Sequence, residues 1–264
     1  MANGEADFVL TCVDSHVATI TLSRPERRNA LNFQAYDELE AAFRRAHADP
    51  ETRCVIVTGA DPAFCSGDDV REVMSGPNAF VNRPREGLPP TPAAMAALEC
   101  DKPIIAAVNG PAIGWGMELA LFADIRIASE RAVFSEMFVK RGLVCDVGGF
   151  YRLPALVGPA KAAELLFTGD AVDAAEALRI GLISEIAPHS ELMPRARALA
   201  ARIAANPPLA LTALKAGLRL GAAGNAREIG TWAIANIRRL METADHKEGV
   251  ASFLEKRPPH FIGQ

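Results

Sequence analysis

Residues 102–129, KPIIAAVNGPAIGWGMELALFADIRIAS, decide the fold. Residues 104–109 are a short apolar run held between Pro103 and Gly110-Pro111, which reads as a strand rather than as part of a long helix. A glycine-containing turn follows, then a helix start around Trp115, and residues 125–128 offer a further strand. Strands with few polar positions, spaced by helix-length segments, imply β-α units whose sheet is covered on both faces. The same stretch excludes a membrane span. Only 15 residues separate Lys102 from Glu118, and Pro103, Asn109, Gly110 and Pro111 lie among them.

Upstream, residues 8–12 and 17–22 are rich in β-branched side chains and flank Asp14-Ser15-His16, the expected turn of a strand pair. Asn32 caps an expected helix in which Tyr36, Leu39 and Phe43 recur at helical spacing. Residues 54–58 form another apolar strand, closed by Gly59. Residues 74–92 carry seven Gly or Pro breakers and are expected to run as a long surface excursion, either a lid or a plain insertion. Beyond Gly158 the pattern turns helical. Pro159 suits a first turn, Gly169 a stop, and Asp173 with Glu176 a capping box for a helix that Gly181 ends. Asn206-Pro207-Pro208 divides a helix over 192–205 from one reaching Leu218, and further helices are expected over 227–241 and 246–256. The expected organisation is an α/β core over residues 1–200 followed by a helical region over 201–264, with no fixed-period repeat.

The 264 residues are half hydrophobic and 23% charged, enough chain to bury roughly 73% of its surface in a core without staples. A net charge of −4 gives no global attraction to nucleic acid or to an anionic membrane surface. Five cysteines are scattered with no C-x-x-C pair, so neither a disulfide framework nor a structural metal is expected. The first ten residues, MANGEADFVL, show no basic segment leading into an apolar one, and a cytoplasmic location is the expectation.

Two glycine-containing turns carry the candidate chemistry. Residues 63–70, AFCSGDDV, follow the strand at 54–58, and residues 109–119, NGPAIGWGMEL, follow the strand at 104–109. Each sets backbone N–H groups beside a helix start, an arrangement that suits a phosphate or a developing oxyanion. A dinucleotide fingerprint fails, because Leu119 stands where the third glycine belongs and no acidic strand end follows at the expected distance. The chain also lacks a GxSxG nucleophile elbow and a Walker loop.

RPERRNALN (24–32), AFCSGDDV, residues 102–129 and EGVASFLEKR (248–257) together resemble the enoyl-CoA hydratase/isomerase family, the crotonase superfamily, in order along nearly the whole chain. The resemblance implies an α/β spiral of β-β-α units, a C-terminal helical region that forms homotrimers or hexamers, and an acyl-CoA thioester substrate reacting through an enolate. Coenzyme A then belongs to the substrate, with no prosthetic group and no metal. By motif position, the backbone N–H groups of Asp68 and Trp115 form the oxyanion hole and Glu118 is the catalytic glutamate. Where typical hydratases have a second glutamate this chain has Phe138, while Glu136 stands two residues away. Asp146, in GLVCDVGGFYRLP, matches an aspartate of isomerase-like members. The CoA contacts carried over by position are Arg28, Ala30, Ser66, Asp68, Arg71, Phe253 and Lys256.

Glu118 and Asp146 would supply the acid–base pair, the competing readings being that Glu118 stabilises a helix start and Asp146 forms a turn. The expected activity is enoyl-CoA hydration or isomerisation, with isomerisation favoured by the absent second glutamate. Decarboxylation or other enolate chemistry, and a non-catalytic acyl-CoA-binding protein, are the alternatives.

Overall fold

The computed structural model describes residues 7–75 and 91–264. The excursion expected over 74–92 therefore lies, from 76 to 90, outside the described residues. The elements run β1 (Val9–Asp14), β2 (Val17–Leu22), α1 (Phe33–Ala48), β3 (Cys54–Gly59), α2 (Pro92–Glu99), β4 (Ile104–Val108), β5 (Ala112–Ile113), α3 (Trp115–Phe122), β6 (Ile125–Ser129) and β7 (Val133–Ser135). The chain continues through α4 (Leu153–Val157), α5 (Pro159–Thr168), β8 (Val172–Asp173), α6 (Ala174–Arg179), β9 (Glu185–Ala187), α7 (Leu192–Ala204), α8 (Pro208–Ala223), α9 (Ala226–Met241) and α10 (Ala244–Glu255).

Two sheets organise these elements. The larger has strand order β1-β2-β3-β4-β6-β9, antiparallel at β1-β2 and parallel from there on, and the smaller has order β5-β7-β8. Residues alternate between two buried layers, as period-2 strands require. Cys54, Ile56, Ile105, Ala107 and Ile127 face α7, while Val55, Val57, Ile104, Ala106 and Val108 face the main core with Leu39, Phe43 and Phe64. Ala196, Ala200 and Ala204 recur every four residues on α7, a small-residue stripe that lets its backbone approach the sheet, flanked by Leu192, Met193, Leu199 and Ile203. This two-sided burial is why these strands read as continuous apolar runs.

Local signals act largely as the sequence implies. Asn32 Oδ1 accepts from Ala35 N at 3.0 Å and starts α1. Gly169, at φ +60, ends α5, and Asp173 Oδ1 accepts from Glu176 N at 2.8 Å to cap α6. The capping box is only half formed, because the Glu176 carboxylate turns to Arg179. The first strand runs to Asp14 rather than ending at Cys12, since Ser15 and His16 alone make the turn, both at positive φ. The helical region is fastened to the core at α8, where Lys215 Nζ donates to Lys102 O at 2.6 Å and pairs with Asp124 Oδ2 at 2.7 Å.

Candidate active site

The two glycine turns meet edge to edge. Phe64 N and Cys65 N both donate to Pro111 O, Ile113 N donates to Cys65 O at 2.9 Å, and Cys65 pairs with Ala112 as an isolated bridge. Gly116, in the first turn of α3, lies so close to the Cys65 carbonyl that a Cβ there would overlap it. Gly67 turns at φ +87, and a Cβ on it would stand 3.3 Å from Trp115 N. The turns thus bring the Asp68 and Trp115 peptides side by side. Neither N–H meets an acceptor among the described residues.

The helix start expected after the first turn differs from the sequence reading. Val70–Met74 is a single wide turn, and its leading donors, Arg71 N and Glu72 N, are taken by Asp69 Oδ1. A free donor on this side is the Asp68 peptide itself, without a helix behind it. On the other side Trp115 does open a true helix, so its free N–H sits at the positive end of α3.

Glu118 lies one turn further along α3 and is fully buried. Its Oε1 accepts from Gly149 N at 2.9 Å, whereas Oε2 has no partner among the described residues. Gly148 presses against that carboxyl so closely that a Cβ would collide with Oε2. Burial pushes the Glu118 carboxyl up to about 7, with the charge of Asp146 adding to the rise and the Gly149 N–H opposing it. A carboxyl poised there takes and returns protons near neutral pH.

Asp146 is placed beside this group but is held differently. Its Oδ2 accepts from Thr91 Oγ1 at 2.7 Å and from Trp115 Nε1 at 3.1 Å, and its Oδ1 accepts from Val147 N at 2.7 Å. Both oxygens are occupied. Asp68 Oδ1 accepts from Tyr36 O–H at 2.7 Å, and the Tyr36 ring meets the Trp115 indole edge-on at 4.8 Å. Burial raises the Asp68 carboxyl and, more strongly, the Tyr36 phenol. Tyr36 was legible only as an apolar helix position, because its polar partner comes from another turn.

Glu136, directly after β7, is 1% exposed, and neither of its carboxyl oxygens has a partner among the described residues. Burial and then the adjacent Glu118 push its carboxyl well above the usual range. Phe138 occupies the position where the resemblance expects a second glutamate, and its ring lies against Gly114. Cys65 and Cys145 are buried thiols pushed up to about 12, unsuited to act as nucleophiles. Among the described residues no cluster of three His, Cys, Asp or Glu side chains is arranged to hold a metal ion, and no helix is long and apolar enough to cross a membrane.

The CoA-contact candidates divide into two groups. Arg28, Ala30, Ser66 and Asp68 lie on two segments joined like strands, through Ser66 N to Arg28 O, Leu31 N to Gly67 O and Asp69 N to Leu31 O. Asn29 anchors the first segment. It is fully buried, and its Nδ2 donates to Ala60 O and Ala63 O, both at 2.7 Å. Arg71 follows on the exposed side of its turn. Phe253 sits on α10 and Lys256 directly after its end, both exposed, with no hydrogen bond or ion pair among the described residues joining α10 to that edge.

The chain matches the sequence model described as enoyl-CoA hydratase/isomerase over residues 13–264. A Rhodobacter capsulatus protein named "Probable enoyl-CoA hydratase" is 39% identical over 253 residues, 96% of each chain. The 1,2-epoxyphenylacetyl-CoA isomerase of Escherichia coli K12 is 34% identical over 262 residues, 98% of this chain and 99% of its own. The crystal structure of a probable enoyl-CoA hydratase/isomerase from Mycobacterium abscessus superposes with a TM-score of 0.90 at 36% identity, covering 97% of this chain and 99% of that one.

Proposed function

Because the chain belongs to the enoyl-CoA hydratase/isomerase family and has its crotonase-type fold, we propose that it moves the double bond of an enoyl-CoA thioester, with Glu118 as the group that carries the proton. The family acts on CoA thioesters, so coenzyme A arrives as part of the substrate. One observation carries the reading: Glu118 is a buried carboxyl with a single free oxygen, one helical turn from the unpaired Trp115 N–H.

In the proposed reaction the Asp68 and Trp115 N–H groups donate to the thioester oxygen. Glu118 takes a proton from C2 of a 3-enoyl ester, the C–H electron pair moves into the enolate, and the charge settles on that oxygen. The same proton returns at C4 as the enolate collapses to the 2-enoyl ester, so no water is consumed. Each oxyanion donor is worth about 3 to 4 kcal/mol in such sites. Asp146, with both oxygens occupied, contributes charge and holds the Trp115 side chain in place.

CoA binding falls to Arg28, Ala30, Ser66, Asp68 and Arg71 on one edge, with Phe253 and Lys256 supplied by a neighbouring subunit of a homotrimer or hexamer. The motive for an assembly is the exposed apolar surface of the region over residues 201–264, where Leu218 is 75% and Phe253 82% exposed. Hydration is the second reading, favoured by the buried Glu136 carboxyl beside Glu118. Incubation with 3-enoyl-CoA and with 2-enoyl-CoA esters, followed by chromatography and mass spectrometry, separates the two. An isomer of unchanged mass is expected. Mass gain by one water assigns hydration instead, and inertness toward both over several chain lengths removes both readings.

A further inference from the structure

The turn after β7 places Glu136 against the catalytic helix. Gly114 N, at the head of α3, donates to Ser135 O at 2.7 Å, so the residue following Ser135 is delivered beside the first turns of α3. Its carboxyl and that of Glu118 stand within hydrogen-bonding reach of each other. Three of their four oxygens, Glu118 Oε2 and both of Glu136, meet no donor among the described residues. Two buried carboxylates side by side repel and forfeit their hydration, whereas one proton between them removes a charge and creates a donor.

We propose that Glu136 is a positioning residue that holds one proton against the free Oε2 of Glu118, so that the pair sets how this site takes and returns a proton. The inference rests on Glu118 being the proton-moving group. Glu118 keeps the Gly149 N–H as a donor to its carboxylate whereas neither oxygen of Glu136 meets one, so the proton stays on Glu136 while Glu118 titrates. The other titratable groups bearing on the pair are Asp146, whose charge opposes ionisation of both, and the Cys145 thiol, which stays protonated. A neutral Glu136 donates its O–H to the Glu118 carboxylate and keeps that oxygen aimed for return of the substrate proton. It also gives a reason for an acidic side chain in a dry position that Phe138 leaves without the glutamate expected there. A purely structural residue in that position would be served as well by glutamine.

The test combines Glu136→Gln and Glu136→Leu with a direct look at the proton. Infrared difference spectra of the wild type at pH 9, where Glu118 is ionised, are expected to show a protonated carboxyl C=O band that disappears in E136Q and persists in D146N. In the pH profile of kcat/KM, E136L is expected to shift the acidic limb up by about one pH unit, about tenfold in rate below both midpoints, because Glu118 loses its donor. E136Q, which still donates, shifts it less, and KM for the CoA ester stays within about twofold. Absence of the band in the wild type, its survival in E136Q, or an unmoved acidic limb in both folded variants overturns the proposal. Should E136L fail to fold, the E136Q spectrum decides. Should the wild type turn over no enoyl-CoA ester while the band behaves as expected, the functional reading fails and the shared proton stands.

Discussion

Trp115 Nε1 donates to Asp146 Oδ2 at 3.1 Å, so the residue whose backbone N–H heads α3 also fixes, through its side chain, the carboxylate that faces Glu118. Hydroxyl and backbone donors from Thr91 and Val147 complete the hold on Asp146. Its charge is therefore fixed in direction, and it pushes the Glu118 carboxyl upward.

Asp146→Asn removes that charge while keeping the shape. Glu118 then ionises more readily, and the acidic limb of kcat/KM moves to lower pH, with the maximal rate reduced less than about tenfold. With the asparagine carbonyl kept toward Thr91 and Trp115, its amide N–H faces the Val147 N–H, which costs about 1 to 3 kcal/mol of stability. A pH-rate profile and a denaturant melt check both. Loss of more than about a hundredfold at every pH would instead give Asp146 a direct share in proton transfer.

Glu118→Gln abolishes the proton carrier and should lower kcat by at least about a hundredfold while CoA binding persists. Its effect on stability has a sign that follows from the raised carboxyl. The folded value of about 7 lies above the ordinary 4.5, so the folded state binds the proton more tightly. The contribution to stability is complete below about pH 4.5 and is lost as pH rises through 7. Glutamine does not titrate. Near pH 4 the variant should melt with the wild type, and at pH 8 it should be the more stable of the two, by up to about 3 kcal/mol.

The proposed assembly is testable at its apolar face. Leu218→Glu on α8 puts a charge on a side chain that is 75% exposed in the single chain, so a monomer should tolerate it within about 0.5 kcal/mol. If α8 to α10 build a trimer, the variant should sediment as smaller species than the wild type, and KM for a CoA ester should rise because Phe253 and Lys256 no longer reach the neighbouring site. Unchanged sedimentation would place the interface elsewhere.

What the sequence revealed follows burial on both faces. The strands β2, β3 and β4 and the helix α1 were legible because apolar runs and caps are local, and the two glycine turns because glycine and proline mark themselves. The strands β5, β7, β8 and β9 were not, since two or three residues carry no periodicity. Glu136 enters the sequence reading only as a neighbour of Phe138, and its burial was not legible for a different reason. A glutamate in VFSEMF looks like a solvent-facing position, and only the docking of β7 on the head of α3 buries it. The resemblance marked Phe138, whose ring lies against Gly114, and Asp146, whose oxygens accept from Thr91, Trp115 and Val147.

Gly116 joins the two halves of the proposed oxyanion hole and gives the sharpest test of it. Glycine within a helix ordinarily costs about 1 kcal/mol relative to alanine, so Gly116→Ala would stabilise the protein if the position were open. It is closed: the added methyl overlaps the Cys65 carbonyl, which belongs to the backbone and has no rotamer by which to retreat. Either the head of α3 or the turn at 65–68 must move, and each carries one of the two unpaired N–H groups. The expected outcome is therefore reversed in sign for stability, a loss of about 1 to 3 kcal/mol. Activity should suffer through kcat, by about tenfold to a hundredfold, because an oxyanion donor works only at its short distance from the charged oxygen. KM should change little, since the proposed CoA contact at Arg28 lies outside the turn at 65–68, on a segment that Asn29 keeps anchored to Ala60 O and Ala63 O. A variant that folds, gains stability and keeps full kcat would show that Trp115 N and Asp68 N need not stand together for this chemistry.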